Sequence, residues 1–314
     1  MDQKKISQIL RVSKMYYELD MGQVEIAEKE NISKSTVSRL LKQGKELGLI
    51  EVRIKEPILS FSDLETQLLA RYPLRRVIII PDYVGNVQIL TRDVCTAAAE
   101  DLPKYLDDDS ILGVAWGTTL ETMSTLLSPI RRRGVSVIQL SGSYSRVAHE
   151  SSALAILRNF ADSVDGTAWV IPAPAMVDEP FIADAIKQDS QVKQVLEMAE
   201  RCKTAVFSVG SLARPSVMYE MGMVNDAQYR DMEARGCVGD LSSHFINARG
   251  QSFDPEMERR VIGASLTTIK SIPNKLLVAS GTGKAQVIAA ALRGGLATNL
   301  YIDAPTAMAV LKQE

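Results

Sequence analysis

The chain has 314 residues, 46 % hydrophobic, 5 % aromatic and 24 % charged, with a formal net charge of −2. It is long enough to bury a sizeable core in about two domains of roughly 150 residues each. Its near-neutral balance points to neither an acidic nor a basic partner, and no apolar run approaches the ~18 residues of a membrane span.

The charge is unevenly spread. Met1 to Lys55 carries 11 Lys/Arg against 8 Asp/Glu, a net of +3, while the remainder is net −5. A mildly basic module ahead of an acidic one agrees with nucleic-acid contact at the N-terminus. Cys95, Cys202 and Cys237 are odd in number and far apart, with no Cys-x-x-Cys pair. That spacing suggests buried thiols in a reducing compartment, with neither a disulfide framework nor a metal site. The opening MDQKKISQILRV lacks the apolar run of a signal peptide, so a cytoplasmic protein without membrane attachment is expected.

Ile6, Ile9, Leu10, Val12, Tyr16 and Tyr17 fall at mostly helical spacing, predicting a first helix over about residues 5 to 19, broken by Gly22. Gln23 to Glu30 reads as a short helix with Val24, Ile26 and Ala27 inward, Ala27 being small enough for a second helix to approach closely. Asn31 then takes the turn, where a left-handed backbone is expected and Asn tolerates it best among non-glycine residues. Ser33 caps a third helix running through Thr36, Val37, Leu40 and Leu41 to about Leu47. Gly48 stops it, and LIEVRI (Leu49 to Ile54) alternates like a short strand or wing.

This pattern is that of a winged-type helix-turn-helix with its third helix as reader. The candidate DNA-binding set is Gln23, Ser33, Lys34, Ser35, Thr36, Ser38, Arg39 and Lys42. Arg39 suits a forked contact to guanine, and Lys34 and Lys42 suit phosphates. A small helical bundle with a solvated polar face is the plainer alternative. The joint fit of Ala27, Asn31, Ser33 and Val37 favours DNA binding.

Residues 56 to 74 read as a linker plus one helix. Beyond them, apolar runs fit for buried strands occur at 76–81, 111–116, 135–140, 168–172, 204–210, 276–281 and 300–304, mostly separated by helical stretches. Continuous apolar strands alternating with helices mean a doubly wound, mainly parallel α/β sheet covered on both faces. Ligands of such sheets bind beyond the carboxyl ends of the strands.

Four segments at or near those ends carry the chemistry. Gly117, Thr118 and Thr119 lead straight into a helix, where glycine and free N–H groups suit a phosphate. Ser141, Gly142 and Ser143 follow the next strand, and Gly281, Thr282, Gly283 and Lys284 precede another helix with one cation. Asp240, in GCVGDLSSHFINARG, could accept from ligand hydroxyls. Each glycine-rich turn taken singly is more often mere strand-to-helix geometry. SGTGKA is neither a Walker loop nor a G-x-G-x-x-G. Together, however, anion sites plus a carboxylate suggest a sugar phosphate. His149 and His244, the only histidines, are not read as functional.

The order of TVSRLL, ILGVAWGTTL, VIQLSG, VIPAP, VFSVG, VGDLSSHFINARG and VASGTGKAQVIAAALRGG resembles the SorC family of sugar-responsive transcriptional regulators over essentially the whole chain, in particular its deoxyribonucleoside-regulator-like members. The resemblance implies a helix-turn-helix domain at 1–55, a linker and helix at 56–74, and an effector-binding and oligomerisation domain at 75–314 related in fold to sugar-phosphate isomerases and deaminases. It implies double-stranded operator DNA and a phosphorylated sugar as partners, no cofactor, and self-association as dimer or tetramer. By the same resemblance, Gly117 to Thr119 and Gly281 to Lys284 would hold phosphate, Asp240 ligand hydroxyls, and Ser141 to Ser143 the pocket wall. Some members place a lysine where this chain has Ser141, so imine capture there is excluded. The usual glycine pair is here Ser280-Gly281.

A regulator, and more specifically a repressor of a sugar, polyol or nucleoside catabolic operon, is therefore expected. The alternative is a sugar-phosphate isomerase or deaminase with Asp240 as base. The fused DNA-binding module and the lack of an obvious second acid/base partner argue against that enzyme.

Overall fold

The computed structural model describes residues 3–50, 61–143, 153–212 and 225–313. The chain divides into two compact units, Met1–Leu59 and Ser60–Glu314.

In the first unit, α1 (Gln3–Tyr17), α2 (Gln23–Glu30) and α3 (Lys34–Glu46) enclose Ile9, Val12, Met15, Ile26, Ala27, Val37, Leu40 and Leu41. Asn31 adopts the expected left-handed conformation (φ 52°, ψ 48°), and the Ser33 hydroxyl accepts from Thr36 N at 3.1 Å to cap α3. Two details differ from the sequence reading. Val24 is 56 % exposed, because the buried stripe of α2 runs through Ile26 and Ala27 and Val24 lies off it. α1 ends at Tyr17, and Gly22 is the N-cap of α2 instead of the breaker of α1. Of the expected wing, residues 51–54 lie outside the described residues, as does the start of the linker.

The second unit contains a seven-stranded sheet in the order β1-β10-β9-β5-β2-β3-β4, with every neighbouring pair parallel. Its strands are β1 (Arg76–Ile80), β2 (Ile111–Val114), β3 (Ser136–Gln139), β4 (Thr167–Trp169), β5 (Thr204–Phe207), β9 (Asn274–Ala279) and β10 (Asn299–Asp303). Successive side chains serve opposite faces. Leu277, Ala279, Leu300 and Ile302 enter one core, and Leu276, Val278 and Tyr301 enter the other. This two-sided burial is why the strands read as unbroken apolar runs. The run at 204–210 does not form one strand. It divides into β5 and β6 (Val209–Ser211), and β6 joins β7 (Cys237–Leu241) and β8 (His244–Asn247) in a small antiparallel sheet.

The winding reverses once. From β2 the chain adds β3 and β4 outward in one direction, whereas from β5 it adds β9 and β10 in the other. The reversal lies between β2 and β5, so their carboxyl ends bound the crevice in which a doubly wound sheet takes its ligand.

Candidate functional site

At the end of β2, Gly117 has φ 127° and is the N-cap of the helix Thr118–Ser124. At the end of β9, Gly281 has φ 102° and opens the turn Thr282–Lys284 ahead of the helix Ala285–Arg293. A side chain at either glycine would be strained at such φ, yet a Cβ at Gly117, Gly281 or Gly283 would meet nothing within 4 Å. The backbone of both loops therefore borders open space.

The sequence missed what fixes the second loop. Asp303, fully buried at the end of β10, accepts from Gly281 N at 3.0 Å and from Thr306 Oγ1 at 2.7 Å through Oδ2, and from Thr306 N at 2.8 Å through Oδ1. It thereby holds the Gly281 turn while capping the helix Ala304–Leu311. The signal was present as Asp-Ala-Pro-Thr at 303–306, an N-cap with proline in the first turn.

Lys284 and Thr119 are brought together: the ammonium donates to Thr119 Oγ1 at 3.4 Å. Asp240 faces Lys284 electrostatically from β7. Burial pushes the Asp240 carboxyl up to about 6, opposed by a hydrogen bond from Ser243 N and by the charges of Lys284 and His244. Burial likewise lowers the Lys284 ammonium, which Asp240 partly restores. Each group thus leans toward neutrality, and each is the other's charged neighbour. Gly210 makes the room for the carboxyl, since a Cβ there would lie 2.2 Å from Asp240 Oδ1. The sequence pattern assigns no element to Asp240; it lies on β7, paired with Gly210 and Phe245.

The Ser141–Ser143 segment is spent differently. Ser141 is fully buried, and its Oγ and the Gly142 carbonyl both accept from Trp116 Nε1, at 3.1 and 3.0 Å. Gly142 N donates to Ile262 O at 2.9 Å, and Ser143 N to Ala173 O at 3.1 Å. These residues anchor the end of β3 to its neighbours, and of the three Ser143 keeps partial exposure. Thr282 is exposed.

His244 is a packed structural residue, with Nε2 donating to the Ala264 carbonyl at 2.9 Å and Nδ1 3.0 Å from Glu258 Oε1. His149 lies outside the described residues. The three cysteine thiols are buried. Burial pushes Cys95 and Cys202 up to about 12 and Cys237 up to about 11, so none is a nucleophile at neutral pH.

In the first unit, Lys34, Ser35, Ser38, Arg39 and Lys42 share the exposed side of α3, opposite buried Val37, Leu40 and Leu41. Thr36 and Gln23 are partly buried, and the Ser33 hydroxyl is engaged with Thr36 N and the hydroxyls of Ser35 and Thr36, both at 2.8 Å.

A family model for a sugar-binding domain, Sugar-bind, matches residues 56–312. The deoxyribonucleoside regulator of Bacillus subtilis (strain 168) is 30 % identical over 315 residues, spanning 99 % of this chain and 99 % of that protein. The transcriptional regulator LsrR of Escherichia coli (strain SMS-3-5 / SECEC) is 30 % identical over 314 residues, spanning 97 % and 94 %. Among solved structures, the full-length sorbitol operon regulator SorC from Klebsiella pneumoniae superposes with a TM-score of 0.77 at 23 % identity, covering 99 % of this chain and 100 % of that one.

Proposed function

The chain belongs to the Sugar-bind family of transcriptional regulators, and from that premise we propose which residues read DNA, which hold the effector, and what that effector is. The protein is a DNA-binding transcriptional regulator controlled by a sugar-type effector, and, like its relatives, a regulator and not an enzyme.

Residues 1–55 form the DNA-binding domain, 56–74 a linker and helix, and 75–314 the effector-binding and oligomerisation domain. The reader is α3. Arg39 contacts a guanine edge, Lys34 and Lys42 contact phosphates, and Ser35 and Ser38 add hydrogen bonds, in support of which all five are exposed on one side of the helix. Gln23 and Thr36 contribute at the ends of α2 and α3, and Ser33 through the cap it makes. A dimer or tetramer presents paired readers about 34 to 36 Å apart, or a multiple of it, to a palindromic operator.

The effector is a phosphorylated sugar or polyol. The observation that carries this reading is the meeting of Thr119, Lys284 and Asp240 beside the β2/β5 reversal, between two glycine turns that border open space. Backbone N–H groups of the Gly117–Thr119 turn and of Thr282 and Gly283, with the Lys284 ammonium, receive the phosphate, while Gly281, its own N–H held by Asp303 and Thr306, shapes the second turn. The phosphate charge restores the proton affinity that burial removes from Lys284. Asp240, mostly ionised at pH 7 with its carboxyl at about 6, accepts from sugar hydroxyls. Ser143 borders the site, with Ser141 and Gly142 supporting it from behind.

Operator affinity then changes with effector by a coupling of ~1 to 3 kcal/mol, the protein acting in the cytoplasm as a repressor of a sugar, polyol or nucleoside catabolic operon. The test is a mobility shift on the gene's own upstream DNA at fixed salt, with a panel of phosphorylated pentoses, hexoses and polyols. Release by one phosphosugar and not by its unphosphorylated form is the expected result. No shift on any flanking DNA at low salt would refute the operator reading.

A further inference from the structure

Buried hydroxyls in folded proteins nearly always have a hydrogen-bond partner. Among the described residues, eight buried side-chain polar atoms lack one, and four of the eight are serine hydroxyls: Ser208, Ser242, Ser243 and Ser280. The other four, on Gln43, Tyr72, Arg76 and Trp169, are single and scattered along the chain.

The serines lie on neighbouring segments. Ser280 stands at the end of β9, next to Gly281, and is 7 % exposed. Its neighbour across the sheet, Asp303, has both oxygens occupied by Gly281 N and Thr306, so it does not serve Ser280. Ser208 joins β5 to β6, one residue before the pair Val209–Leu241. Ser242 and Ser243 form the turn between β7 and β8, and Ser243, 1 % exposed, donates its backbone N–H to Asp240. β6 packs against the Thr282–Lys284 turn, which brings the three segments to one junction around Asp240 and Lys284.

We propose that Ser208, Ser243 and Ser280 form the end of the effector site that takes the neutral hydroxyls of a polyhydroxylated ligand. This rests on the effector reading above and names the part of the ligand that this end recognises. A serine hydroxyl both donates and accepts, which matches another hydroxyl. Asp240 beside them repels an anion and accepts from an alcohol, so the phosphate goes to Lys284 and the Gly117–Thr119 turn and the carbon chain runs toward the serines. In the free protein these hydroxyls lose hydration without return; the ligand supplies the missing partners. A compound that offers phosphate with few hydroxyls fills only the anionic end.

The test is calorimetric titration of the full chain and of S208A, S280A and the double variant with inorganic phosphate, glycerol 3-phosphate, ribose 5-phosphate and glucitol 6-phosphate. The expected result is a loss of about three- to tenfold in affinity per hydroxyl for the tightest polyhydroxylated phosphate. Inorganic phosphate binding is unchanged, and the melting temperature of the free variants is equal or higher. Equal affinity of wild type and double variant for every compound overturns the proposal. So does a lower melting temperature of the free variants, because the hydroxyls would then already be paired in the absence of ligand. If the wild-type chain binds none of the four, the effector reading itself fails and this inference falls with it.

Discussion

Replacing Asp303 by alanine isolates the support of the effector loop. The carboxyl accepts three hydrogen bonds in a fully buried position, two from Thr306 and one from Gly281 N. Gly281 N keeps a second acceptor, Thr306 Oγ1 at 2.9 Å, but the Thr306 amide and hydroxyl both lose theirs. Two orphaned buried donors cost about 1 to 3 kcal/mol each. The amide is also the capped N–H of the last helix, so the usual capping loss is contained in that figure. The total is about 3 to 4 kcal/mol, or roughly 10 °C of melting temperature for a unit of this size. Asp303→Asn retains one oxygen and should fall between the variant and wild type. Differential scanning calorimetry of the three proteins gives the ranking, and titration with the effector should show at least about fivefold weaker binding by Asp303→Ala. A variant that melts within about 2 °C of wild type would show that the carboxyl does not hold the loop.

The Ser242-Ser243 turn has positive φ at both residues (50° and 73°), as a two-residue hairpin of the primed type requires, yet lacks the residues that adopt it cheaply. Changing it to Asn-Gly should raise stability by about 1 kcal/mol, and a lower denaturation midpoint would contradict the assigned turn. Asp240, raised to about 6 by burial, binds its proton more tightly folded than unfolded, so its contribution is full below about pH 4 and lost as pH rises through 6. Asp240→Asn should therefore gain on wild type by on the order of 2 kcal/mol between those pH values while losing effector affinity. A stability difference that stays flat from pH 4 to 7 would show that the carboxyl is not destabilised by burial. Arg39→Ala and Lys284→Met should separate the two activities. The first abolishes specific operator shift with effector titration intact, and the second retains operator binding but no longer responds to effector. An effector defect in Arg39→Ala, or an operator defect in free Lys284→Met, would show that the roles are not divided as proposed.

The main sheet was legible because burial on both faces writes its inner strands as apolar runs, and each of the seven runs contributes a strand to it, the run at 204–210 only through β5. The helix-turn-helix was legible because Asn31 and Ser33 each have a local backbone job that few residues perform. The β6–β8 sheet was not. Its strands are three to five residues long, Gly210 and Gly239 interrupt their pattern, and the Ser-Ser turn lacks the usual Asn-Gly signature. Between β4 and β5, Asp189 ends one helix (Pro180–Gln188) and caps the next (Ser190–Glu200) by accepting from Gln191 N, a break that the continuous helical spacing of residues 182–202 does not announce. Of the site, the glycine turns and Lys284 were visible as motifs. Asp303 and Gly210 act through neighbours distant in sequence, and only the fold places them.

The pairing of β1 with β10, which sets Arg76 against Asn299, has a consequence for how the protein is made. Among the described residues, the first strand of the sheet to leave the ribosome has no hydrogen-bonded neighbour in it until synthesis has passed Asn299. At about 5 to 20 residues per second, that leaves its apolar face waiting on the order of ten seconds or more. A chain cut short before Asn299 would lack the strand that joins β1 to the rest of the sheet. Nascent and truncated forms of this protein are thus the ones that expose an unpaired apolar strand, and they are the natural clients of chaperones and proteases.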